Sequence, residues 1–220
     1  MRRIFHIFKL IVLVFLVSSV LAVLVLRWVS VPITPLMVIR VVENVMEGKP
    51  AAIHHQWVPL ESMAREMPQA VVASEDQNFM RHHGFDFEGI ARATLVNLQS
   101  GEIEEGASTI TQQLVKNLFL SHEQSFGRKA EEFVLALDME WNYSKDEILE
   151  MYLNTIYYGS NYYGIGAASE GYFGKRPRDL ALPESAMLAG LPNAPSLYSP
   201  YVAFMMAKKS QFIVPDAMVS

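Results

Sequence analysis

Apolar positions along this chain follow two patterns. From Leu10 to Leu26 they are continuous except for Ser18 and Ser19, a run of about the shortest length that crosses a bilayer as a helix. Beyond Arg27 they recur at helical spacing. Val31 to Pro35, with Pro32 and Pro35, reads as an extended exit, and Leu36 to Met46 as a short helical stalk. Pro68 opens a helix carrying Val71, Val72, Glu75 and Phe79, which Gly84 closes. Asp86 caps the next, with Ile90, Ala93 and Leu95 on its apolar side as far as Ser100 and Gly101. Ser108 or Thr109 starts a helix toward Leu120, and Ser125 another through Phe133, Val134 and Leu137. Ser144 and Glu147 form a capping box ahead of Ile148, Tyr152 and Leu153. Gly101 to Gly106, charged and bounded by glycines, reads as a solvated loop or a lid. Strand signals are weak throughout and no internal repeat is present. The expected fold class is mainly α, one helical domain behind a single N-terminal transmembrane helix.

The flanks of the apolar run set its orientation. Arg2, Arg3 and Lys9 precede it and Trp28 follows, which favours an N-terminus in the cytoplasm and everything after Arg27 outside. A cleaved signal peptide is the rival reading, but Arg27-Trp28-Val29 is not a small-residue cleavage site. With 220 residues, 51% of them hydrophobic, the chain has material for one well-buried domain. The net charge of −5 makes no case for nucleic acid. The absence of cysteine removes disulfide and thiolate chemistry and fits an extracytoplasmic setting.

Four blocks carry the polar chemistry. EDQNFMRHHG, Glu75 to Gly84, sets two adjacent carboxylates beside Phe79, an apolar neighbour able to raise a carboxyl pKa; by itself such a pair is ordinarily a solvated helix face. His82 and His83 have no partner at metal-ligand spacing, so no metal site is expected. GASTITQQLVKN, Gly106 to Asn117, places small residues and hydroxyls at a helix start, where free backbone N–H groups can face an anion, with Lys116 two turns on. Read alone it is equally an ordinary cap. GRKAEE, Gly127 to Glu132, puts Arg128 and Glu132 on one helix face with Lys129 in reach. KDEILEMYLN, Lys145 to Asn154, has the spacing of a core stripe. Lys145 at its start is read as tolerant of change. Asn154 and the adjoining YYGSNYYGIG suit a sugar groove or turn packing. Together the blocks supply what is needed to break a bond to a phosphate-type leaving group while a carboxylate activates an attacking oxygen.

In this order the four blocks resemble the peptidoglycan glycosyltransferases of family 51, which comprise the monofunctional transglycosylases and the glycosyltransferase domains of class A penicillin-binding proteins. The first block matches E-D-x-x-F-x-x-H-x-G at every fixed position, and the third matches R-K-x-x-E. The resemblance covers roughly Trp57 to Pro200. It implies a lysozyme-like helical domain over residues 57–200, behind an anchor over 1–30 and a stalk over 31–56, with a divergent tail over 201–220. It implies Glu75 as general base on an attacking sugar 4-hydroxyl and Glu132 as the second catalytic carboxylate. Around the substrate it implies Asp76, His82, Ser108, Thr109, Gln112, Gln113, Lys116, Asn117, Arg128 and Lys129, with Lys116 meeting a pyrophosphate oxygen. The implied reaction transfers a lipid-linked glycan strand to lipid II with inversion and releases undecaprenyl diphosphate. A divalent cation, Mg2+ or Mn2+, would accompany the pyrophosphate, and no organic cofactor is implied. The implied partners are lipid II, the lipid-linked strand, the membrane, and transpeptidases or division proteins, with the domain on the extracytoplasmic side of the inner membrane.

The chain also departs from the family pattern. Gln124 stands where relatives carry an arginine, and Ser210 and Pro215 replace the arginine and leucine of a last motif. These departures leave a non-catalytic scaffold as the alternative. A glycan-cleaving muramidase or lytic transglycosylase is a further rival, against which Lys116, Arg128 and Lys129 speak. The segment after Pro200 is too short for a transpeptidase domain, so a monofunctional enzyme is expected.

Overall fold

The computed structural model describes residues 2–26, 33–48, 52–101, 106–120 and 126–192. Gln124, Ser125, most of the 101–106 loop and the tail with Ser210 and Pro215 lie outside them. The first helix, α1 (Arg2–Val25), contains a stretch, Phe5–Val25, long and apolar enough to cross a membrane. Most of its side chains, Leu10, Leu13 and Leu21 among them, are exposed. Its C-terminal end docks on the rest of the protein: Val23 is fully buried, and its carbonyl accepts from the Tyr143 hydroxyl at 2.6 Å. Ser19, one of the two polar breaks in the run, donates to Asp138 Oδ2 at 3.0 Å.

Next come α2 (Pro35–Met46) and α3 (Glu66–Glu75). Thr34 caps α2, its hydroxyl accepting from the Met37 N–H, with Pro35 in the first turn. The helix α3 differs from the sequence reading at both ends. It starts two residues before Pro68, which is tolerated because first-turn N–H groups have no intrahelical acceptor. It stops at Glu75, because Asp76 takes φ −162°, ψ 78° and its side chain is engaged elsewhere. Phe79 therefore lies in a separate turn beyond the helix, fully buried.

Four further helices come after it: α4 (Phe87–Ser100), α5 (Ile110–Phe119), α6 (Phe126–Asn142) and α7 (Lys145–Thr155). Asp86 caps α4, and Gly101 closes it at φ 75°. Thr109 caps α5, and the Ser144–Glu147 capping box opens α7. The last two are α8 (Gly164–Phe173) and α9 (Leu182–Gly190). Two-residue strands, β1 (His54–His55) and β2 (Tyr162–Tyr163), pair in parallel with His54 opposite Tyr162. They are the only strands among the described residues, in keeping with the weak strand signal.

The core is organised about α5, whose Ile110, Leu114, Val115 and Leu118 are buried between α6 and α7, while α3 packs on α9. The KDEILEMYLN stripe forms one wall, with Ile148, Leu149, Tyr152 and Leu153 all shut from solvent. Asn154 belongs to this wall and not to a sugar groove. Fully buried, it accepts from Val58 N–H at 2.7 Å and donates to the Val58 and Glu150 carbonyls at 2.8 Å. The tyrosines beyond it pack on one another, Tyr157 on Tyr163 and Tyr162 on Tyr172. Gly164, at φ 77°, lets this turn close on α7: a Cβ there would lie 2.3 Å from the Asn154 carbonyl oxygen.

Candidate active site

Two neighbouring glutamines on α5 each hold one carboxylate. Gln113 Nε2 donates to Glu75 Oε2 at 2.9 Å, and Gln112 Nε2 donates to Glu132 Oε1 at 3.1 Å. Successive helix positions project about 100° apart, so Glu75 and Glu132 approach α5 from different sides. Both amides are oriented by their oxygens. Gln112 Oε1 accepts from the Thr109 N–H at 3.1 Å, while the Thr109 hydroxyl accepts from the Gln112 N–H at 3.2 Å. The capping box that starts the helix thus also aims an amide at Glu132. Gln113 Oε1 accepts from the Tyr152 hydroxyl at 3.0 Å, a link the sequence does not reveal.

Glu75 is the last residue of α3 and lines a pocket of about 340 Å³ with Asp76, Gln77, Arg92, Ser108, Thr109 and Gln113 among its walls. Its Oε1 is buried without a hydrogen-bond partner. Burial, partly offset by the Gln113 hydrogen bond and reinforced by the Asp76 charge, raises its carboxyl from 4.5 to about 7. A helix C-terminus is also a poor place for an anion. The result is a carboxylate that changes charge near neutral pH, as a general base requires.

His82 stands behind this pocket, against Asp76 in its wall. His82 Nε2 lies 2.9 Å from both Asp76 oxygens, and Asp76 Oδ2 also accepts the Ile110 N–H at 3.0 Å. This corrects the reading of the α5 start as a set of free donors. The Ile110 and Gln112 N–H groups are already satisfied, by Asp76 and Thr109, because a buried helix start must find acceptors within the fold. Gly84 completes the link. It adopts φ 87°, a Cβ there would meet Glu140 Cγ at 3.3 Å, and its carbonyl accepts from the Thr109 hydroxyl at 2.7 Å. His83 is exposed. Across the pocket, burial opposes the charge on Asp86, but hydrogen bonds from Gly89 and Asn78 with the nearby His82 outweigh it and hold the carboxyl below its ordinary value.

Glu132 is 2% exposed and fully engaged. Arg128 donates to Oε2 at 3.0 Å, and Lys129 joins Gln112 on Oε1. Arg128 is mostly covered, while the Lys129 side chain is half exposed, its ammonium paired with Glu132. Asn117 is buried on α5. Lys116, half-buried two turns from the α5 cap, makes no side-chain ion pair or hydrogen bond among the described residues. Lys145 is not the tolerant position expected: it pairs with Glu140 at 2.8 Å and lies 4.4 Å from the Phe79 ring centre. The structure brings Glu75, Asp76, Ser108, Thr109 and Gln113 to one pocket and gathers Gln112, Arg128, Lys129 and Glu132 in a separate cluster joined to it through α5. Arg92 and Asp86 also line the pocket; the sequence points to Asp86 only as a helix cap and does not single out Arg92, since neither stands in a block with other chemistry.

The described residues contain no group of three histidine or acidic side chains able to hold a divalent cation, and Glu132 already carries two cationic partners and an amide.

One carboxylate thus stands near neutrality over a polar pocket, and a second is locked among cations in the same helical frame. The protein's family is shown by comparison with known proteins: the chain belongs to the transglycosylase family, whose profile matches residues 42–219, and its helical fold is that family's lysozyme-like one. It is 53% identical over 155 residues to penicillin-binding protein 2D of Bacillus subtilis (strain 168), covering 70% of this chain and 22% of the relative. It is 48% identical over 160 residues to penicillin-binding protein 1A of Vibrio cholerae, covering 73% and 19%. With penicillin-binding protein 1A of Neisseria gonorrhoeae it shares 51% identity over 150 residues, covering 68% and 19%. The chain thus spans about a fifth of the length of these relatives.

Proposed function

We propose that this protein polymerises peptidoglycan glycan strands at a membrane surface, joining a lipid-linked strand to the 4-hydroxyl of lipid II with inversion and release of undecaprenyl diphosphate. The observation that carries the reading is the division of labour between the two carboxylates. Glu75, ionised above about pH 7 and open to the pocket, takes the hydroxyl proton as that oxygen forms its bond to the anomeric carbon. The bond from that carbon to the pyrophosphate oxygen breaks, and its electron pair leaves with the pyrophosphate. Lys116 and the half-exposed Lys129 meet the growing negative charge. Glu132 fixes Arg128 and Lys129 in place and so sets the field the leaving group enters. The acceptor hydroxyl takes the position that water holds in an inverting hydrolase.

The surface beside α1 supports a site at the membrane. Phe133, Leu137 and Trp141 form an exposed stripe on α6, the helix that α1 meets through Ser19 and, at the residue just after its end, through Val23 and Tyr143. Phe85 stacks on Phe133 at 4.4 Å and touches Phe87, extending the apolar face toward α4. In this reading Phe5–Val25 is the anchor, the basic N-terminus is cytoplasmic, and the domain lies outside with transpeptidases or division proteins as neighbours.

Incubating the purified full chain with labelled lipid II tests the function. Polymer is the expected product; shortened glycan from added strands would mean a lytic enzyme, and binding without product a scaffold. Lys116→Ala is expected to lower turnover about 10²–10³-fold, the scale of removing one donor at a developing charge, while Arg178→Ala, an exposed cation outside the pocket, changes it less than twofold. Equal losses would assign Lys116 to general electrostatics. Protease added to spheroplasts is expected to digest the domain and spare a short N-terminal fragment. A soluble mature protein beginning near Val29 would show a cleaved signal instead.

A further inference from the structure

Among the described residues the Glu75 carboxylate has one side-chain hydrogen-bond partner, and that partner has another behind it. Gln113 Nε2 donates to Glu75 Oε2 at 2.9 Å, while Glu75 Oε1 has no partner. The same Nε2 lies 3.5 Å from the Ser108 carbonyl oxygen, so the amino side of the amide faces two acceptors. Its oxygen accepts from the Tyr152 hydroxyl at 3.0 Å. Phenol, amide and carboxylate thus form a chain that draws on α7, α5 and the end of α3. Tyr152 is fully buried in the apolar wall of α7, and burial first, then the charge of Glu75, holds its phenol well above the ordinary value. It therefore stays protonated, and remains a donor, throughout the neutral range. An amide oxygen only accepts, so this donor decides which side of the amide Glu75 meets. An amide turned about would set its oxygen against the carboxylate and oppose its charge.

We infer that Tyr152 is a positioning residue for the base: its hydroxyl fixes the Gln113 amide so that the amino group, and not the oxygen, meets Glu75. The inference rests on the reading of Glu75 as general base. The Gln113 hydrogen bond favours the charged carboxylate against the burial that opposes it. Without the phenol the amide oxygen loses its donor, and the side chain turns to find another at the expense of Glu75. The other charged or titratable groups that bear on Glu75 are Asp76 next in the chain, Tyr158 just beyond α7, and Asp86 and Arg92 across the pocket beside and on α4. On α7, Lys145 is bound to Glu140, Glu147 to Ser144 and Glu150 to Trp57, and Asp146 is exposed. Lys116 is the sole charged residue of α5. On α9, which packs against α3, Glu184 is the sole titratable side chain and is paired with Lys175.

The test is the titration of the Glu75 carboxylate in the full chain by infrared difference spectroscopy, with Glu75→Gln identifying its band, for Tyr152→Phe, Gln113→Ala, the two together, and Tyr163→Phe. The pH dependence of kcat/KM on lipid II is read on the same set. Tyr152→Phe is expected to move the titration, and with it the acid limb, about one unit toward higher pH, the scale of one hydrogen bond to a charged acceptor. Gln113→Ala is expected to move it at least as far, and the double variant no further than Gln113→Ala, because the phenol acts only through the amide. Tyr163→Phe also removes a buried hydroxyl, but one beside Tyr157, Arg40 and Glu43, and is expected to leave the titration in place. A Tyr152→Phe titration that superimposes on the parent, a Tyr163→Phe shift of equal size, or a further shift when Tyr152→Phe is added to Gln113→Ala overturns the inference. If Glu75→Gln retains turnover, the base reading itself fails. If that variant is inactive and the Tyr152→Phe titration does not move, only the role of Tyr152 falls.

Discussion

Glu75→Gln is expected to lower lipid II turnover by about 10²–10⁴-fold, the contribution of a general base, and to make the protein more stable above neutral pH. The amide keeps the shape of the side chain, and its oxygen still accepts from Gln113, but it cannot take a proton. The stability effect arises from the raised carboxyl. Between 4.5 and about 7 the folded protein holds a proton that the unfolded chain has released, so stability declines as pH rises through that window. Above it the cost of the buried charge is complete, at most about 3 kcal/mol for a shift of this size, and less because the group opens on a pocket. Glutamine removes that cost. Melting curves of parent and variant are expected to coincide near pH 4.5 and to separate at pH 8, with the variant higher. Parent-like turnover would remove Glu75 from the chemistry, and a stability difference independent of pH would show that its charge is not the cause.

Glu132→Gln is expected to damage both activity and fold. The carboxylate is buried and satisfies Arg128, Lys129 and Gln112 together. An amide has one acceptor oxygen for three donors, and its NH2 group faces the Arg128 guanidinium. Removing one member of a buried charge cluster typically costs about 3–5 kcal/mol; the part-exposed Lys129 places the expected loss at the lower end. Turnover is expected to fall by about 10²-fold or more, because the cations that meet the leaving group lose their anchor. Thermal melting and lipid II turnover on the same preparation separate the two effects. A variant that melts like the parent and turns over normally would make the cluster peripheral.

Several features were legible in the chain because their causes are local. The Ser144–Glu147 box, the Asp86 cap, the Gly101 stop and the Thr109 cap each depend on groups within one turn, and propensity and spacing report that distance well. The apolar run of α1 and the core stripe of α7 were legible for the same reason, since each is a continuous or periodic pattern along one helix. The Arg128–Glu132 pair is likewise an i,i+4 contact.

What the tertiary structure alone decided is where those local pieces meet. Glu75 ends α3 because Asp76 leaves the helix to accept the Ile110 N–H, a bond across 34 positions. The same bond fills the helix start that local reading left open to an anion. Gln113 reaches Glu75 across 38 positions, and Tyr152 reaches Gln113 across 39. Asn154 has the composition of a sugar contact, yet its partner is the Val58 backbone, 96 positions away. By itself, then, the sequence determined the helices, their caps and the residue types available for catalysis. The fold decided which carboxylate is pushed up toward neutrality by burial and which is packed among cationic partners, because a carboxyl group's surroundings are supplied in large part by residues distant in the chain.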